Sequence, residues 1–183
     1  FGFDPVLFID TSKNPEASIA SLAKQVNASS AENKLVVLLA GNTELLWQAV
    51  NRAEPEKRRY VHVISHGDFK TGSNNDMRHR WGHSAEDVIA LGVNWTQISD
   101  QNKGKRTAET GFATGTMDAW EFLKGTPHGQ WLFDCIDRVD GDEGVSPGGY
   151  RGATGDASDF GLAYYYFTGD EDGNTAKLRN YFE

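Results

Sequence analysis

Four short apolar runs, each stopping abruptly in polar, turn-forming residues, constrain this chain more than any other feature. They read VLFI (6–9), LVVLLA (35–40), VHVI (61–64) and WTQI (95–98). The first three are almost continuous in Val, Ile, Leu and Phe, as strands buried on both faces require. Helical segments separate them. Asn14 is placed to cap a helix with Pro15 in its first turn and Glu16 beside it, and Ile19, Leu22, Ala23 and Val26 then follow helical spacing. In the next segment Leu45, Leu46, Ala49 and Val50 share one face. A third segment opens on Ser84 with Asp87 three residues on, and stops at Gly92. Alternation of strand and helix predicts an α/β fold: a Rossmann-like, mostly parallel sheet of four or more strands with helices on both faces.

The character changes after Asp100. Polar stretches at 101–116 and 140–157 flank helical patterns at 117–125 and 129–139, and two more helices follow, one capped by Ser158 and one closing the chain from Thr175. Irregular stretches of that length in a small domain are usually binding loops or lids. At 183 residues, the chain suits one domain, 1–183. The first residues, FGFDPVLFID, read as the interior of a domain, so the expectation is the C-terminal part of a longer one. A net charge of −8 argues against a nucleic-acid partner and against an anionic membrane surface. No apolar run approaches the roughly 20 residues that span a bilayer. The single cysteine, Cys135, can form no internal disulfide and sits among apolar neighbours.

In an open parallel sheet, ligands bind beyond the carboxyl ends of the strands. The residues there are Asp10-Thr11-Ser12, Gly41-Asn42-Thr43, Ser65-His66-Gly67-Asp68 and Asp100-Gln101-Asn102. The opposite ends carry no comparable set of reactive groups. Asp10, Asp68 and Asp100 are therefore candidate acids or bases, with His66 as an alternative acid. Asn42, Ser65, Gln101 and Asn102 are candidate hydrogen-bonding partners of a ligand. Trp81 and Tyr150 lie near the polar loops and could stack on a sugar face. Turn formers also gather at strand ends for structural reasons alone, and most aromatic side chains serve a core. His79 and His83 have the spacing of two zinc ligands on a helix, but Gly82 and the Ser84 cap interrupt it. DGDEG (140–144) and DEDGN (170–174) have calcium-loop composition without the full spacing. No phosphate-binding glycine loop and no nucleophile elbow is present in the sequence.

Three stretches, in order, carry a resemblance. They are KLVVLLAGNTELLWQAVNRAEPEKRRYVHVISHG, QISDQN and SDFGLAYYYFTGDEDG. The chain resembles secreted bacterial proteins with a nucleoside-hydrolase-like domain, often found alongside polysaccharide degradation. That resemblance implies a secreted or periplasmic hydrolase acting on a glycosidic bond of a polysaccharide or nucleoside. It implies Ca²⁺ as cofactor with Asp159 as a late ligand, and Asn42 or the Ser65–His66 turn touching sugar hydroxyls. The family's aspartate-rich opening has no counterpart here, which leaves one of the expected carboxylates and implies an N-terminal segment or chain that completes the domain. The alternative is a non-catalytic carbohydrate-binding module on a degenerate hydrolase fold.

Overall fold

The computed structural model describes residues 9–11, 13–41, 43–67, 82–101, 109–112, 117–141 and 157–181, the side chains of 117 and 135–141 excepted. The chain divides into two compact units, Phe1–Ile98 and Ser99–Glu183.

The first unit is α/β. Helix α1 (Pro15–Ala28) precedes β1 (Leu35–Leu39), α2 (Glu44–Arg52), a 3₁₀ turn (Pro55–Tyr60), β2 (Val61–His66), α3 (Ala85–Ala90) and β3 (Asn94–Ile98). The three strands form one parallel sheet in the order β1-β2-β3. Leu39 pairs with Ser65 and His66 pairs with Ile98, so the carboxyl ends of all three finish at one edge. The run at 6–9 that the sequence marks as a further strand lies outside the described residues, apart from Ile9, which is in no regular element.

Side chains alternate across a sheet, and the alternation sorts this one cleanly. Leu35, Val37, Leu39, Val61, Val63 and Trp95 share a core with Val26 of α1, Leu46 and Val50 of α2, and Val88 of α3. Among the described residues, α1, α2 and α3 therefore pack on one face of the sheet, where the sequence led to helices on both. The other face carries Val36, Leu38, His62, Ile64, His66, Thr96 and Ile98. His62 and Thr96 meet across the strands at 2.8 Å, and Leu38 remains 41% exposed.

Local chemistry sets the helix ends. Asn14 Oδ1 accepts from the Ala17 amide at 3.1 Å, with Pro15 opening α1. Ser84 and Asp87 form a reciprocal capping box on α3. At the other ends, the basic run of the 3₁₀ turn answers orphan carbonyls. Lys57 Nζ donates to the Ser29 carbonyl that follows α1, and Arg58 to the Asn51 and Ala53 carbonyls that close α2.

The second unit is helical among its described residues. A 3₁₀ helix (Met117–Gly125), α4 (Pro127–Gly141), α5 (Phe160–Thr168) and α6 (Thr175–Arg179) surround Phe112, Trp120, Leu123, Phe133, Tyr164 and Leu178. Phe112 is the hub, with the rings of Trp120, Phe160 and Tyr164 each about 6 Å away, at 6.3, 5.9 and 5.7 Å. Gly173 is required by packing: a Cβ there would lie 2.5 Å from Tyr164 and 2.9 Å from Phe112. The α5 cap falls on Asp159, one residue later than the sequence suggests, and its side chain makes no capping bond.

Candidate functional site

The strand-end residues expected from the sequence divide into three groups. Asn42, Asp68, Trp81, Asn102 and Tyr150 lie outside the described residues. In the first unit, β2 runs on through Ser65 and His66 instead of ending at Ile64. Both residues are buried, at 0% and 5% exposure. Consecutive strand residues point to opposite faces, so the two do not converge as a turn would allow. The Ser65 hydroxyl donates to the Leu39 carbonyl at 3.2 Å. Asp10 is exposed ahead of α1, its carboxylate 3.2 Å from Lys13 Nζ and its carbonyl accepting the Lys13 and Asn14 amides. In the second unit, Asp100 is half-buried. Gln101 is buried and its Nε2 donates to the carbonyls of Ser99 and Glu171, at 2.8 and 3.1 Å. Asp159 is exposed.

The DEDGN stretch (170–174) is a turn closed on itself. Asp170 accepts from the Asp172 amide at 2.9 Å and pairs with Lys177 at 2.7 Å. Asn174 caps α6. Among the described residues, no group of three or more His, Cys, Asp or Glu side chains is placed to hold a metal ion. The described residues therefore do not fit a Ca²⁺ centre. Asn27 Oδ1 accepts from the Glu54 amide, and Asn94 Nδ2 donates to the Arg59 and Val61 carbonyls.

A different constellation stands in the first unit. Glu44 opens α2 immediately after β1, and His83 lies just before the Ser84 cap of α3. In βαβ units, helices start beyond the carboxyl ends of the strands, so topology delivers both residues to the edge where open sheets place their ligands. Glu44 Oε2 accepts from the His83 amide at 3.0 Å and lies 2.8 Å from His83 Nδ1, while Oε1 accepts from Gln48 Nε2 at 2.7 Å. Thr43 adds a clasp by donating its hydroxyl to the His83 carbonyl. Gly82 makes the approach possible. Its φ is +96°, and a Cβ there would sit 2.8 Å from the Glu44 carboxylate.

Burial alone would raise the Glu44 carboxyl. The hydrogen bonds from Gln48 and from the ring and amide of His83, with the charge of that ring, overcome burial and hold it below the ordinary 4.5. An ionised carboxylate only accepts, so Nδ1 of His83 carries its proton toward Glu44. Nε2 is then the basic nitrogen of the neutral ring, and it has no hydrogen-bond partner among the described residues. Trp47, one turn along α2, stacks on the imidazole with centroids 3.3 Å apart and planes 5° from parallel. The ring is fixed by a hydrogen bond to the Glu44 carboxylate on its edge and an indole on its face. Glu44, Trp47, Gln48, Asn51, Arg52 and His83 line an open cleft of about 390 Å³.

Sequence reasoning passed over this pair because each member had a local explanation. Glu44 reads as an ordinary first-turn acid and His83 as half of an interrupted zinc pair. The available signal was position, since both follow a strand in a parallel sheet.

The chain is similar to uncharacterized protein P22 of Formosa agariphila, 28% identical over 183 residues. The alignment covers 94% of this chain and 58% of that protein, so the chain spans little more than half of the relative it matches. No protein-family profile matches the chain. No solved structure matches it.

Proposed function

We propose that the protein is a hydrolase acting on a glycosidic bond of a saccharide, with His83 as the proton-transfer residue and Glu44 as its positioning partner. The observation that carries this reading is the Glu44–His83 pair, 2.8 Å apart at Nδ1, in an open cleft. A carboxylate that holds one imidazole nitrogen and steadies the charged ring leaves the other nitrogen to exchange protons with a reacting group. In the reaction, Nε2 takes a proton from water as the water oxygen adds to the anomeric carbon. The imidazolium then passes that proton to the glycosidic oxygen as the carbon–oxygen bond breaks, which returns the ring to its starting form.

A second reading, a carbohydrate-binding module without turnover, is favoured by one feature of the same cleft. Glu44 is the single carboxylate among its six lining residues, whereas most glycosidases use two. One experiment separates the readings. Nucleosides and plant or algal oligosaccharides are incubated with the wild type and with His83→Ala, products are analysed, and binding is followed by calorimetry. The hydrolase reading expects turnover that drops by about 10²- to 10⁴-fold in the variant. Binding without any turnover establishes the second reading, and turnover untouched by His83→Ala removes His83 from the chemistry.

A further inference from the structure

We propose that the exposed face of α2 is an extended subsite for an uncharged, hydroxyl-rich chain of at least two sugar units. The chain would run along the helix from His83 toward Arg52. This inference rests on the saccharide reading of the cleft.

Glu44, Trp47, Gln48, Asn51 and Arg52 fall at i, i+3, i+4, i+7 and i+8, the spacing of one helical face. All five line the cleft, while Leu46, Ala49 and Val50 turn to the core. Eight residues of helix advance about 12 Å, more than one sugar ring needs. The cleft is therefore a strip with the His83–Glu44 pair at one end.

The two charged groups of the strip, Glu44 and Arg52, are each engaged within the protein. Glu44 is met by His83 and Gln48. At the far end Arg52 is engaged by both oxygens of Glu16 from α1, one of them at 3.1 Å from Nη2. The groups left over are the Trp47 indole N–H, the Gln48 Oε1 acceptor and the Asn51 amide, which offers a donor and an acceptor. None of the three has a hydrogen-bond partner among the described residues. A hydroxyl both donates and accepts, so a row of sugar hydroxyls matches this mixture. A polyanion would need the guanidinium that Glu16 already occupies.

The test compares aryl glycosides carrying one to four neutral sugar units, in the glucose and mannose series, with aryl glycosides of uronate chains of equal length. Each is assayed with the wild type and with Asn51→Ala, an exposed substitution that favours the helix. KM is expected to fall from one unit to two in a neutral series. Asn51→Ala should raise KM for the longer chains roughly three- to tenfold more than for the single unit, as loss of one or two hydrogen bonds predicts. If the protein binds without cleaving, the same comparison is read from calorimetric Kd. A KM or Kd independent of chain length in both neutral series overturns the subsite even where His83→Ala abolishes turnover. Preference for the uronate oligomers overturns its neutrality.

Discussion

At the scale of single residues, Glu44 holds more of the candidate site than any other side chain. It takes three hydrogen bonds, from Gln48, the His83 amide and the His83 ring. Glu44→Ala should cost about 1–3 kcal/mol at neutral pH, the range for removing a charged hydrogen-bonding partner. The sign of its pH dependence follows from the lowered carboxyl. A group depressed in the folded state stabilises above its ordinary value, here 4.5, and that contribution fades as pH falls through the folded-state value. Urea denaturation of wild type and variant across pH 3 to 7 should show two stability curves that are parallel near neutrality and converge in acid. A constant gap would mean that Glu44 acts through packing instead of charge. This pair was hidden from sequence reasoning for a physical reason. The contact spans 39 positions, and neither end breaks a local rule.

At the scale of elements, much was legible because local chemistry and long-range packing agree. Asn14-Pro15 starts α1, the Ser84–Asp87 box starts α3 and Asn174 starts α6, each at the position its residue type predicts. Ser84→Ala removes the hydroxyl that caps the Asp87 amide and should cost about 1 kcal/mol. Because Ser84 adjoins His83, the same change is expected to loosen the imidazole, and hydrogen exchange at the His83 amide should rise with it. Exchange that does not change would show that Thr43 and Glu44 hold the segment unaided. The β2 end was misplaced for the opposite reason. Ser and His look like loop residues, yet Ser65 pairs with Leu39 and Gln97 on either side and His66 with Ile98, and tertiary burial overrides polarity. The aromatic residues divided in the same way. Phe112 and Trp120 went to a core, while Trp47, which the apolar pattern of α2 did not single out, covers His83.

At the scale of the whole molecule, the α/β alternation of the first unit was readable, and the change of character after Asp100 falls beside the boundary between the two units. Each unit has its own apolar core, one built of aliphatic residues on a sheet and one of aromatic rings. Trp120 is fully buried in the second. Trp120→Ala should therefore cost about 3–5 kcal/mol, read as a lower denaturant midpoint. A loss below 1 kcal/mol would contradict the aromatic core. Among the described residues, no helix is long and apolar enough to cross a membrane.

The central claim is that Glu44 fixes the proton of His83 on Nδ1 and leaves Nε2 available for chemistry. Nitrogen-15 NMR of histidine-labelled protein at neutral pH tests it directly, with His83→Ala assigning the signal among the five histidines. The account predicts that the His83 ring holds its proton at Nδ1, the minor tautomer of free imidazole side chains, and reverts toward the Nε2 form in Glu44→Gln. A His83 ring protonated at Nε2 in the wild type, or one that ignores the Glu44 substitution, would contradict it.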